Sequence, residues 1–149
     1  MTVVNTGALK DIRVVELGQL LAGPFCGQLL GDMGADVIKV EPPVTGDPMR
    51  EWGQGDQKVQ WEVIARNKRS VSANLRVPEG QALVKRLIAQ ADVLIENFKP
   101  GTMEKWGLGP DILLAEFPGL IIARMSGYGQ TGPYSNHTGF GGIGEAMGG

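Results

Sequence analysis

The chain has 149 residues, 14 basic against 16 acidic, for a formal net charge of −2. That length suffices for one domain burying roughly 70% of its unfolded surface, and a near-neutral balance with no block of like charge argues against a nucleic acid partner. One cysteine excludes an intrachain disulfide, no run approaches the roughly 18 apolar residues of a membrane span, and residues 1–7 lack a basic segment leading into an apolar one. The expectation is a cytoplasmic protein with no membrane partner.

Residues 12–17, Ile-Arg-Val-Val-Glu-Leu, read as a strand, followed by a glycine-rich turn into a helix and a second strand over 37–40 closed by Glu41. A βαβ order of this kind offers a helix N-terminus to a phosphate. The turn Gly18-Gln19-Leu20-Leu21-Ala22-Gly23-Pro24 is neither Gly-x-Gly-x-x-Gly nor a Walker loop, since Pro24 stands where the latter needs Lys, so dinucleotides and nucleoside triphosphates are disfavoured. Gly23, Gly27 and Gly31 recur every four residues and share one helical face, which allows either close packing on the sheet or approach of a ligand. The helix start around Gly23 and Pro24 would favour an anion through its dipole. Cys26 within this helix reads as a small buried side chain. Glu41 stands where dinucleotide folds keep an acid for ribose hydroxyls, and equally where a strand end meets solvent.

Farther along, the Pro- and Gly-rich stretch 42–58 predicts irregular structure and 59–65 a short helix. The basic turn Arg66-Asn67-Lys68-Arg69 suits ion pairs or caps. Residues 70–75 alternate like a strand. Pro78 suits the first turn of a helix that carries Ala82, Leu83, Leu87, Ile88 and Ala91 on one face. Residues 92–96 and 120–125 read as further strands, with short helices over 102–106 and 110–117 between them. Strands rich in Val, Ile and Leu with little alternation are those of a parallel sheet covered on both faces. The predicted fold is α/β: a Rossmann-like, doubly wound, mainly parallel sheet in a single domain spanning 1–149. The tail is different, a turn-rich loop over 126–133 and then a glycine-laden segment over 139–149 that resembles a helix start which never develops. The expectation is a chain that stops partway through a larger fold.

Seven blocks in order identify a resemblance: Val-Val-Glu-Leu, Leu-Ala-Gly-Pro-Phe, Gly-Ala-Asp-Val-Ile-Lys-Val-Glu, Gly-Asp-Pro-Met-Arg, Arg-Asn-Lys-Arg-Ser-Val, Ala-Asp-Val-Leu-Ile-Glu-Asn-Phe-Lys-Pro-Gly and Gly-Tyr-Gly-Gln-Thr-Gly-Pro. From Leu9 to Gly149 the chain resembles the N-terminal part of family III CoA-transferases, a group related to the α-methylacyl-CoA racemases. The resemblance implies coenzyme A, as an acyl-CoA substrate, and no metal. Carried over by position, it implies CoA contacts from Leu21 and Ala22 in the first turn, Pro42 after the second strand, and Ala73, Asn74, Leu75 and Arg76 beyond the basic turn. Asn97, Phe98 and Lys99 would follow the next strand, with Lys105 in the helix after it and Thr138, Gly139, Phe140 and Gly141 near the end. Arg76, Lys99 and Lys105 have the charge for phosphates, and Phe98 the surface for a ring or the pantetheine arm.

The family resemblance further implies transfer of CoA from an acyl-CoA to a carboxylic acid, by an interlocked homodimer. An aspartyl carboxylate would form a mixed anhydride and then an enzyme-bound thioester. That aspartate would lie beyond the segment this chain covers, so the 149 residues alone would be inactive. Asp47, Asp92 and Asp111 read instead as loop, strand-edge and helix-start residues. Leu21 replaces the Gln of formyl-CoA transferases, and Phe140 the His of the racemases; Phe cannot move a proton at an α-carbon, so transfer is favoured over racemisation. His137 reads as a solvent-exposed loop residue. A non-catalytic CoA- or nucleotide-binding module is the alternative.

Overall fold

A computed structural model describes residues 6–53 and 59–149; the N-terminal residues 1–5 and the end of the irregular stretch, 54–58, lie outside the described residues. Five strands, β1 (Arg13–Glu16), β2 (Asp36–Glu41), β3 (Lys68–Ser72), β4 (Val93–Glu96) and β5 (Ile121–Arg124), form one all-parallel sheet in the order β3-β2-β1-β4-β5. The connections carry α1 (Ala22–Asp32), α2 (Val59–Ala65), α3 (Pro78–Ile88), α4 (Thr102–Lys105) and α5 (Pro110–Glu116), and α6 (Gly141–Gly148) follows β5. A 3-10 turn, Pro48–Glu51, interrupts the otherwise irregular link after β2.

Strands β1, β2, β4 and β5 alternate between two cores. Val15, Val40 and Leu94 point to one face with Val84 and Ile88 of α3, Met103 of α4 and Leu113 of α5. Val14, Val37 and Ile95 point to the other, where Cys26 and Leu30 of α1 pack. The sheet is therefore doubly wound, as the unbroken apolar runs predict. No helix among the described residues is long and apolar enough to cross a membrane.

Three predicted elements differ in detail. The third strand occupies Lys68–Ser72 and not 70–75, because its partner β2 ends at Glu41, opposite Ser72, and nothing remains for later residues to pair with as a ladder. On α3 the fully buried residues are Gly80, Val84 and Ile88, a spacing of four; Leu83, Leu87 and Ala91 of the predicted face pack half-buried against the same core, while Ala82 is exposed. The glycine-rich tail does close into a helix, α6, yet every residue of it is exposed, so it forms by local hydrogen bonding without a packed face.

Helix α1 shows why its glycines recur. Gly23, Gly27 and Gly31 are buried against the sheet side. A Cβ on Gly27 would collide with Glu16 Oε2, one on Gly23 would meet the Gly18 Cα at 2.8 Å, and one on Gly31 would press on Asn67. Of the two readings of this face, close packing is the one observed. The opposite face exposes Leu21, Phe25, Leu29 and Met33 at intervals of four.

Alanine in a helix interior is worth about 0.5–1 kcal/mol more than glycine, so a solvent-facing Gly-to-Ala change stabilises. Gly27→Ala is predicted to do the reverse, lowering stability by about 1–3 kcal/mol through displacement of the Glu16 carboxylate. Urea denaturation of wild type and variant decides it; an unchanged or higher midpoint would contradict the packing described.

Candidate functional site

Strand order reverses at β1 and β4, which places a crevice outside their carboxyl ends, where open parallel sheets bind ligands. All five strands contribute polar side chains toward this edge, β3 through Lys68 and Ser70. Glu16, Lys39, Glu41 and Glu96 lie at or beside strand ends and are buried, against the rule that such residues stay outside unless paired.

The pairing is extensive. Lys39 Nζ contacts Glu16 Oε1 at 2.9 Å and Asp47 Oδ2 at 2.8 Å and donates to the Gly18 carbonyl at 2.9 Å. Lys68 Nζ contacts Glu16 Oε2 at 2.7 Å and donates to the Pro24 carbonyl at 2.6 Å. Glu16 Oε2 and Asp47 Oδ2 are thus held by ammonium charge at short range, with no hydrogen bond of good direction. Burial pulls the Lys68 ammonium below its usual range, and the nearby Lys39 charge adds to this while Glu16 opposes it. Asp47, read from sequence as a loop residue, is fully buried; its Oδ1 accepts from Met49 N at 2.9 Å and from Leu20 N at 3.1 Å, capping the 3-10 turn and tethering the first glycine turn together.

Glu41 is neither a solvated strand end nor a ribose-binding acid. It accepts from Arg50 through both guanidinium nitrogens at 2.7 and 2.8 Å, from Ser70 Oγ at 2.6 Å and from Asp47 N at 2.9 Å. Arg50 in turn lies over the Trp61 ring, 4.0 Å from its centroid. Burial pushes the Glu41 carboxyl up, but these hydrogen bonds and the Arg50 charge outweigh it and hold the group at about 2. At the other end of the edge, Arg124 bridges Glu96 at 2.7 Å and Glu104 at 2.9 Å, and Glu96 Oε2 accepts from Phe98 N. Lys68 and Arg69 of the basic turn both serve as ion-pair partners, to Glu16 and Asp36. Cys26 is half-buried; burial and the Glu16 charge raise its thiol, which suits an inert packing role.

Above this layer lie two clefts. The first, about 680 Å³, runs between Glu41–Pro48 and the segment after β3; the second, about 450 Å³, lies between the first turn, the β4–α4 link and the segment leading into α6. They share Gln19 and Phe98, so the first turn forms a ridge between them. Of the residues singled out from sequence, Pro42, Ala73, Asn74, Leu75 and Arg76 line the first cleft. Leu21, Ala22, Asn97, Lys99, Thr138, Gly139, Phe140 and Gly141 line the second, and Phe98 lines both, its ring 5.1 Å edge-on from Trp106. Lys105 lines neither; it is exposed near the end of α4. Arg76, Lys99 and Lys105 are exposed and, among the described residues, paired with no carboxylate. His137 is exposed, as expected, and sits beside the Tyr128 and Tyr134 rings at the second cleft.

Sequence reasoning passed over Gln19, which borders both clefts, and Trp52 and Trp106, which border one each. A signal was present for Asp47, since Asp immediately before Pro is an N-cap pattern. The N–H groups of Gln19 and Leu20 are engaged by Asn97 Oδ1 and Asp47 Oδ1, so the first turn is a loop held by side chains and not a phosphate cradle.

Fold and edge together define an α/β protein with two clefts at the sheet's switch point, and comparison with known proteins narrows the class. Residues 9–149 match the model of CoA-transferase family III, and the chain belongs to that family. It is 64% identical over 144 residues to the succinyl-CoA–D-citramalate CoA-transferase of Chloroflexus aurantiacus, covering 95% of this chain and 36% of that protein. It is 46% identical to the succinate–glutarate CoA-transferase of Agrobacterium fabrum, with 95% and 38% covered. The crystal structure of a CaiB/BaiF family protein from Brucella suis superposes with a TM-score of 0.89 at 44% identity, over 95% of this chain and 39% of that one. The chain thus spans little more than a third of the length of these relatives.

Glu41 has a folded-state value near 2 against about 4.3 in an unfolded chain, so its contribution is complete above the unfolded value and vanishes as pH falls toward 2. Stability is predicted to drop by about 3 kcal/mol from this group between pH 5 and pH 2, and Glu41→Gln to flatten that part of the profile. Urea midpoints across this range test it; a variant with the wild-type pH slope would contradict the assignment.

Proposed function

We propose that this chain forms the coenzyme A-binding part of a CoA-transferase that moves CoA from an acyl-CoA donor to a carboxylic acid. Succinyl-CoA is the donor and a dicarboxylic acid the acceptor on this reading, because relatives at 64% and 46% identity carry names that pair succinyl groups with citramalate and glutarate. The observation that carries the proposal is the pair of clefts joined over Gln19 and Phe98, at which nearly every residue expected to touch CoA is found. The nucleotide end occupies the first cleft, where exposed Arg76 stands ready for phosphate beside the flat surfaces of Pro42, Pro43 and Trp106. The pantetheine arm crosses the ridge along Phe98 into the second cleft, whose Leu21, Trp52, Met125 and Phe140 suit an apolar chain, with Lys99 at its margin.

The buried carboxylates of the edge, Glu16, Glu41, Asp47 and Glu96, all hold cations, so none is presented as a nucleophile. In the proposed reaction an aspartate outside this chain attacks the thioester carbonyl and releases CoA thiolate. The thiolate then attacks the aspartyl carbonyl of the mixed anhydride, freeing the donor acid and leaving an aspartyl-CoA thioester. The acceptor carboxylate attacks that thioester, expelling CoA thiolate and forming a second anhydride, and the thiolate attacks its acceptor carbonyl to give the acceptor's CoA thioester and the free aspartate. What this chain contributes is the hold on CoA between those steps. Homodimer formation belongs to the same proposal.

Arg76→Ala in the intact gene product is predicted to raise KM for succinyl-CoA about tenfold with kcat within about twofold, as loss of one charge-assisted contact requires. Steady-state transfer assays with citramalate or glutarate as acceptor read this. Failure of the wild-type protein to bind CoA in calorimetry would overturn the proposal.

A further inference from the structure

The ridge between the clefts is held from outside itself. The Asn97 side chain accepts from Gln19 N at 2.8 Å on Oδ1 and donates Nδ2–H to Gln19 O at 2.8 Å, a two-point grip on the backbone of one residue, from the two peptide units that flank it, by a side chain just past the end of a different strand. The same side chain lies against Gly18 and Gly23: a Cβ on either would come within 3.4 Å of it and closer still to the other glycine's backbone. Gly18 O is held by Lys39 and Leu20 N by Asp47, so three consecutive residues of the turn are each fixed by a separate side chain. Leu20 sits at φ 61°, a left-handed conformation that costs a non-glycine residue about 1–2 kcal/mol and persists only where the surroundings impose it.

Each polar atom of the Asn97 amide makes one hydrogen bond to Gln19, so the side chain is oriented by the turn even though it borders the cleft. We propose that Asn97 is a positioning residue, which fixes the Gln19 peptide in the shape over which a ligand passes from the first cleft to the second. This rests on reading the two clefts as the CoA site. A ligand confined to the first cleft does not need the ridge; one that crosses it does.

Two readouts on the intact gene product test this. In Asn97→Ala, amide hydrogen exchange at Gln19 is expected to accelerate at least tenfold while α3 amides stay unchanged. Affinity for CoA is expected to fall at least tenfold, with affinity for adenosine 3′,5′-bisphosphate, a probe of the nucleotide cleft alone, within twofold. Asn97→Asp keeps an acceptor for Gln19 N–H and is expected to retain its protection within threefold; should the alanine variant fail to fold, this variant carries the test, and lost protection in it overturns the proposal. Unchanged Gln19 exchange in Asn97→Ala, or equal losses for CoA and the bisphosphate, also overturns it. A wild type that binds the bisphosphate and CoA equally well refutes passage across the ridge, whereas a wild type that binds neither refutes the CoA reading and leaves the exchange result to judge the grip on Gln19.

Discussion

Two buried ammonium groups and two buried carboxylates, Lys39 and Lys68 with Glu16 and Asp47, organise the carboxyl edge of this sheet. Lys39 is 2% exposed and Glu16 and Asp47 not at all, so each charge depends on the others for solvation. Such a cluster is a weak source of net stability, because desolvation cancels most of the attraction. Its consequence is geometric. The ions reach from β1, β2, β3 and the link after β2, and they also bond the backbone of Gly18, Leu20 and Pro24 in the first turn and α1 and of Met49 in the 3-10 turn. The first turn and the start of α1 are therefore placed by the interior of the sheet. Gly27 is the complement of this arrangement on the helix, since only a residue without Cβ leaves room for the Glu16 carboxylate.

A second tier of charges secures the walls. Glu41 binds Arg50 and Ser70 and so ties the loop that borders the first cleft to β3, and Arg124 joins β5 to α4 below Phe98. The strand ends thus act as anchor points for loops that contact the ligand in the proposed function. Rigid scaffold below and polar or aromatic loop above is the usual division of labour at a switch-point site.

The α/β architecture was readable because parallel strands covered on both faces are almost uniformly apolar, and because Pro78 and Pro110 mark helix starts. The four-residue spacing of Gly23, Gly27 and Gly31 showed that α1 has a close-packed face, but not that a carboxylate lies under it. Lys39 stands inside a strand pattern where a charge ordinarily points to solvent, and its partner Asp47 lies in a Pro-rich link; nothing local to either residue reveals the other. The ends of β3 were misplaced by a few residues because register is decided by β2, not by the strand's own composition, whereas the face read for α3 packs on the core except for Ala82. Asn97 was read as a ligand contact from its place in a family block; it does border the second cleft, and its amide also bonds Gln19, a pairing across 78 positions of sequence that the block does not reveal. All the residues carried over from the resemblance except Lys105 line the two clefts, and the division between residues that line them and residues that hold the lining in place required the fold.

The most direct test of the account is a double-mutant cycle between Lys39 and Asp47, using Lys39→Met and Asp47→Asn in the intact protein with urea denaturation as the readout. Lys39→Met leaves the buried Asp47 charge without its cation and is predicted to cost about 3–5 kcal/mol, Asp47→Asn leaves Lys39 paired with Glu16 and costs less, and the pair together costs less than the sum by at least about 1.5 kcal/mol. Additivity within about 0.5 kcal/mol would mean that the two residues act independently, and the buried cluster would then not be what shapes this edge.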